Sequence, residues 1–168
     1  SRMEDLKQGE GVQQSLQISE SLHRGAIEAI DGIPYHRDYD SNVYRYIGNG
    51  IQELTGYSQD EWTPDVFGSI VLERNNLDSL DEWNAEFLIK TYSGAKKWIA
   101  DAARPVKDKT GKVIATIGIL RDITRQKQFD REIIQLQRLR AKGELSAGVS
   151  HNLNNILTGI LGPAQMLQ

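Results

Sequence analysis

From Val113 to Leu120 the chain reads Val-Ile-Ala-Thr-Ile-Gly-Ile-Leu, with no charge. An apolar run of strand length, rich in β-branched residues, implies a strand (Lys112 to Arg121) covered on both faces and central in its sheet. It is entered through Lys107-Asp108-Lys109-Thr110-Gly111, a strong hairpin loop. The preceding strand-like stretch, Lys97 to Val106, is therefore expected beside it and antiparallel. A third stretch, Ala85 to Tyr92, ends at the turn Ser93-Gly94 and extends the same sheet.

Upstream the elements are shorter. Ala26 to Ile30 and Ile33 to Arg37 are expected strands around the turn signal Asp31-Gly32. After the polar turn Tyr39 to Asn42, Val43 to Ile47 alternates and is rich in strand formers. Asn49 to Leu54 and Ser58 to Trp62 read as short helices, the second capped by Ser58 with Glu61 three residues on. Pro64 opens another short segment, and Leu77 to Trp83 reads as helical. Val12, Leu16 and Leu22 give Met3 to Arg24 the pattern of an amphipathic helix, frayed before Val12 where Gly9 and Gly11 stand. The predicted class is α+β, an antiparallel sheet with short helices on one face.

Beyond Asp122 the character changes. Ile123 to Arg140 is charged and glutamine-rich, with Phe129, Ile133, Leu136 and Leu139 near heptad spacing. Such a stripe predicts a long coiled-coil helix that needs a partner to bury it. The helix is expected to run on through Lys142 to Leu161 in spite of Gly143, Gly148 and Gly159, and to kink or end at Pro163. Phe129 to Val149 spans 20 residues, one fewer than three heptads, so a phase break is expected near Gly143.

Two motifs in the middle of the chain resemble those of a PAS domain. One is Tyr44-Arg45-Tyr46-Ile47-Gly48-Asn49 followed by Leu54-Thr55-Gly56-Tyr57-Ser58. The other is Asp108-Lys109-Thr110-Gly111 running into Gly118-Ile119-Leu120-Arg121-Asp122-Ile123-Thr124. The resemblance covers about Gly25 to Thr124. It implies a sensor domain that often holds a small ligand between sheet and helices and often dimerises. No ligand can be named from it. A flavin photosensor of this kind would carry a reactive cysteine, and the chain has none. A haem sensor would carry a histidine on the helix before the last three strands, and Asn75 to Trp83 has none; His23 and His36 stand elsewhere. Trp83, Trp98 and Tyr92 suit a pocket lining, although aromatic residues at strand spacing are usually core.

Gly143-Glu144-Leu145-Ser146-Ala147-Gly148-Val149-Ser150-His151-Asn152-Leu153-Asn154-Asn155-Ile156-Leu157-Thr158-Gly159-Ile160-Leu161-Gly162 resembles the H-box of sensor histidine kinases, which opens their dimerisation and phosphotransfer domain. On a helix, Leu145, Val149, Leu153, Ile156 and Ile160 share one stripe, whereas His151 lies about 200° round from Val149, on the face it shares with Asn155 and Thr158. An imidazole opposite a buried seam can meet an incoming phosphate and, later, a carboxylate on a partner. Neutral imidazole is in general a competent nucleophile near pH 7. The resemblance makes His151 the phospho-acceptor. It also puts an acidic residue directly after the histidine, where this chain has Asn152, which cannot act as a base. Asn155, one turn beyond His151, stands where the resemblance implies an amide that orients water for dephosphorylation of the partner.

The expected organisation is a polar helix over residues 1–24, a PAS-like domain over 25–124, a coiled-coil linker over 125–142, and the start of the phosphotransfer domain over 143–168. The resemblance further implies a homodimer through the last two segments, a response-regulator receiver domain as partner, and an ATP-binding domain of the same protein that uses ATP and Mg. No sequence motif of that ATP-binding domain is visible, so the chain by itself is expected to supply only the acceptor, with no cofactor or metal of its own. A formal net charge of −3 argues against a nucleic-acid partner. The absence of cysteine excludes disulfides and thiolate chemistry. The expected location is cytoplasmic, with membrane attachment of the parent protein left open. The competing reading is a dimerising PAS module that binds a ligand or protein and carries a degenerate, unphosphorylated H-box.

Overall fold

A computed structural model describes residues 2–77, 83–144 and 147–166. The elements are α1 (Arg2–Ala29), β1 (Ile33–Asp38), β2 (Val43–Ile47), α2 (Gly50–Thr55), α3 (Pro64–Ile70), β3 (Val71–Asn76), β4 (Trp83–Lys90), β5 (Lys96–Lys107), β6 (Val113–Asp122), α4 (Thr124–Ala141) and α5 (Ala147–Met166). Two compact units divide at Thr124 and Arg125.

In the first unit, six strands form one sheet in the order β2-β1-β6-β5-β4-β3, and every neighbouring pair is antiparallel. The predicted apolar run is β6, third in that order. It pairs with β1 through Tyr35 and Gly118, and with β5 through Ala103 and Gly118. Tyr35 crosses directly over Gly118: a Cβ there would lie 2.7 Å from the tyrosine ring. Strand alternation turns Ile99, Asp101 and Ala103 of β5 to the same face as Phe87, Leu120 and Tyr35. Ile51 and Leu54 of α2 and Phe67 and Ile70 of α3 complete the core on that face. Rings link across it in sequence: Tyr35 to Tyr44, Tyr44 to Trp62, Trp62 to Phe67 and Phe67 to Phe87, with centroids 5.1–6.0 Å apart.

Several expectations change. The run in β6 is central but covered on one face only: Ile117 is 55% exposed on the other. The helices α2 and α3 both supply the inner face, which leaves Ala102, Arg104 and Ile117 outward. Ala26 to Ala29 continue α1 instead of forming a strand, and β1 pairs with β2 around the turn at residues 39–42. Asp38 caps that turn, accepting from the amides of Asp40 and Ser41 at 2.9 and 3.0 Å, and ion-pairs with Arg45. Ser58 to Trp62 forms the predicted capping box without the helix. Glu61 accepts from the Ser58 amide at 2.9 Å and Ser58 Oγ from the Glu61 amide at 3.3 Å, but the chain makes a single turn there. The following Pro64 restricts Thr63 to extended backbone, and Thr63 caps α3 instead, its hydroxyl accepting from the Val66 amide at 3.1 Å. Residues 71–76, unassigned from sequence, are the edge strand β3. Its mostly exposed residues gave no alternation to read. Of the helix expected over Leu77 to Trp83, residues 78–82 lie outside the described residues; Leu77 donates its amide to Asn84 and Trp83 opens β4.

In the second unit, the single long helix expected is two. α4 ends at Ala141, and Gly143 takes φ 73°, a left-handed conformation that glycine adopts without steric cost. Gly143 donates to the Arg140 carbonyl and Glu144 to that of Leu139, the paired bonds of a Schellman terminus. The predicted break near Gly143 is thus a helix end. Within this unit Arg140 donates to Asn154 Oδ1 at 2.6 Å. A coiled coil is not shown. No residue of α4 is buried: Ile133, Leu136 and Leu139 are half-buried and Phe129 is exposed.

Candidate functional sites

The first unit has a cavity of about 350 Å³, partly open to solvent, on the inner face of the sheet. The aromatic rings of Tyr44, Phe67, Trp83 and Phe87 line it together with the polar side chains of Tyr35, Arg37, Arg74 and Asp101. Asp101, the one acidic residue on the inward side of β5, is set among them. Tyr35 donates its hydroxyl to both Asp101 oxygens, at 2.9 and 3.0 Å. Burial pushes the Asp101 carboxyl up to about 6, against the opposing pull of the Tyr35 hydrogen bond and the Arg74 charge. Burial, with the Asp101 charge behind it, drives the Tyr35 phenol well above its ordinary value. Burial likewise raises Tyr44 to about 12, with the Arg37 charge pulling it down. Arg74 donates to Asn76 Oδ1 at 2.6 Å and lies over the Phe87 ring. Arg37 lies over Tyr39, whose hydroxyl hydrogen-bonds Thr116 at 2.7 Å.

Sequence reading named none of the polar residues here. A charged residue at an inward position, Asp101 between Ile99 and Ala103, was a usable signal; the approach of Arg37 and Arg74 from β1 and β3 was not, because it depends on strand order. Of the three aromatic residues considered, Trp83 does line the cavity. Trp98 is buried elsewhere, and Tyr92 is largely exposed with its ring against Tyr57.

The second site is on α5. His151, Asn152, Asn155 and Thr158 are all exposed. Asn155 Nδ2 stands 3.5 Å from His151 Nδ1, one helical turn away. An amide N–H directed there leaves the ring proton on Nε2. The same amide turned over would accept from Nδ1–H and free the Nε2 lone pair. Thr158 donates to the Asn154 carbonyl at 2.8 Å. Of the predicted apolar stripe, Val149 and Ile156 are 45% and 48% exposed. Leu145 lies outside the described residues, as do the side chains of Leu153 and Ile160. The described residues hold no cluster of three or more potential metal ligands, and no helix among them is long and apolar enough to cross a membrane.

With the geometry of both sites in place, comparison with known proteins is informative. No protein-family profile matches the chain. Two solved structures share its fold. A sensory box histidine kinase/response regulator from Burkholderia thailandensis superposes with a TM-score of 0.53 at 16% identity, over 71% of this chain and 97% of that one. An RNA-binding light-oxygen-voltage receptor gives 0.54 at 18% identity, over 71% of this chain and 37% of that one. The fold is that of a PAS domain. Part of the chain is also related in sequence to sensor kinases. It is 41% identical over 58 residues to the signal transduction histidine-protein kinase AtoS of Escherichia coli (strain K12), and 31% identical over 65 residues to the sensor kinase CckA of Brucella abortus (strain 2308). These matches take in 34% and 38% of this chain, and the chain spans 10% and 7% of the two relatives.

Proposed function

We propose that this chain is the sensory and phospho-accepting portion of a two-component sensor histidine kinase, with His151 as the acceptor. The observation that supports this most is the exposed imidazole of His151 on α5, within the H-box-like segment of a chain that carries a PAS fold and is related in part to histidine kinases. In this reading two copies pair through α4 and α5, each burying the stripe that stands open in one copy. The parent enzyme is then an ATP-dependent protein-histidine kinase whose own ATP-binding domain presents ATP and Mg to the histidine. The Nε2 lone pair attacks the γ-phosphorus, a P–N bond forms, and the P–O bond to ADP breaks with its electron pair leaving on ADP. The ring proton passes to solvent, since Asn152 offers no base. The phosphoryl group then moves to a carboxylate of a response-regulator receiver domain. Asn155 holds the ring orientation and, in the reverse direction, orients water for dephosphorylation. A change in the PAS domain reaches α5 as a change in the packing of α4.

The test uses the chain with a histidine-kinase ATP-binding domain supplied in trans and labelled ATP. Acid-labile, base-stable phosphate is expected on the wild-type chain and none on His151→Gln. Failure to label the wild-type chain, beside an ATP-binding domain shown to be active on another acceptor, counts against the proposal and for a PAS module with an unphosphorylated helix.

A further inference from the structure

The cavity of the PAS domain holds three ionised side chains in unequal positions. Asp101 is already engaged: the Tyr35 hydroxyl bonds both of its oxygens and the Arg74 charge favours its ionised form. Arg74 is held in turn by Asn76 and by the Phe87 ring. Arg37 differs. One terminal nitrogen makes only a 3.4 Å contact with Asn42 at the surface. Its Nε is buried and has no hydrogen-bond partner among the described residues. A buried guanidinium N–H left without an acceptor is unfavourable, and native proteins rarely keep one unless something else supplies the acceptor. The walls around it say what kind of molecule fits. Tyr44, Phe67, Trp83 and Phe87 give apolar faces, and about 350 Å³ suits a small molecule of one ring or a short chain. With Asp101 already paired, the free recognition capacity is for an anion, and a guanidinium fork matches a carboxylate.

We propose that this cavity binds a small organic carboxylate, its acid group on Arg37 and its apolar body among Tyr44, Phe67, Trp83 and Phe87. The inference rests on reading the chain as a sensor, because it names the class of ligand sensed. Binding is measured on the chain directly, without phosphorylation, so a failure here and a failure of His151 to accept phosphate are separate results.

The probes are acetate, succinate, benzoate and 4-hydroxybenzoate, with benzamide as the neutral match of benzoate and benzylamine as the cationic one. Titrations are followed by calorimetry and by tryptophan fluorescence. At least one carboxylate is expected to bind below about 10 mM. Benzamide and benzylamine should bind at least roughly tenfold more weakly than benzoate if benzoate binds. Arg37→Gln should weaken the carboxylate by roughly tenfold or more, and Arg37→Lys by less, since it keeps the charge and loses the fork. Arg121→Gln, at an exposed position on β6, should bind as wild type. Circular dichroism melts of each variant show whether its fold is intact; if Arg37→Gln unfolds, Arg37→Lys and the benzamide comparison decide. Equal binding of benzoate and benzamide, no carboxylate bound at 10 mM, or undiminished binding by folded Arg37→Gln would each overturn the proposal.

Discussion

The sheet and the helices that follow it solve the same problem in opposite ways. In the sheet domain, Ile51, Ile89 and Ile99 are wholly buried, because strand alternation turns Ile89 and Ile99 to one face and α2, which carries Ile51, closes over it with α3. In α4 no residue is buried, and in α5 Val149 and Ile156 stand half open. A helix in isolation has only its own surface to pack against, so an apolar stripe gains burial only from another element. The sheet domain thus closes a core within one chain, whereas none of the described side chains of the helical unit is buried. An element that waits for a partner can respond to a change in packing; a closed core cannot do so without losing stability.

That contrast can be broken at either end. The largest effect expected is on chemistry in the helical unit: His151→Gln should remove all acid-labile label while leaving the thermal melt unchanged. A fall in melting temperature would mean the ring is structural. Ile99→Ala in the sheet core should cost about 2–5 kcal/mol in urea denaturation. The counterpart Ile133→Ala in α4 should cost less than about 1 kcal/mol in the same measurement and act instead on the monomer–dimer equilibrium seen by sedimentation. Equal losses from the two would erase the distinction. Gly118→Ala should cost about 1–3 kcal/mol, since the added methyl meets a Tyr35 ring that Asp101 holds in place.

A smaller effect comes from pH. The folded value of Asp101, about 6, stands above the ordinary 3.8 of an unfolded aspartate. A carboxyl raised in this way favours the protonated folded state. Its contribution is fully present below about pH 4 and is lost as pH rises through about 6, with a magnitude on the order of 2–3 kcal/mol. Wild-type stability relative to Asp101→Asn should therefore fall between pH 4 and 6, as read from urea midpoints at several pH values. A flat difference would show that Asp101 is solvated.

Much of this was legible in the chain. The uncharged run from Val113 to Leu120 and the loop before it fixed three adjacent antiparallel strands, because hairpins pair neighbours and leave little choice of topology. The motifs around Gly56 and Thr124 pointed to the PAS fold, and Gly56 indeed takes φ 84° at the end of α2. The edge strand β3 was not legible, since Leu72 to Asn76 are exposed and show no alternation. Nor was the absence of helix at Ser58 to Trp62: the capping box forms, but its turn has no room to propagate before Thr63 takes extended backbone and caps α3. His151, Asn152 and Asn155 were singled out by the resemblance of their segment to an H-box, and all three are exposed on α5, as are Val149 and Ile156 of the apolar stripe.

The sequence by itself determined what depends on near neighbours along the chain: the order of strands β4 to β6, the turns that join them, and the helical character of the segments after Thr124. Only the tertiary structure decided what depends on distant segments meeting. β1 pairs with β6, and this brings Tyr35 onto Gly118 and its hydroxyl onto Asp101, 66 residues away. β3 at the far edge brings Arg74 to the lining of the same cavity. Periodicity tells which side of a strand a residue takes but not which strand lies beside it. The cavity with Arg37, Arg74 and Asp101 is set by strand order, and so it became visible only in the folded chain.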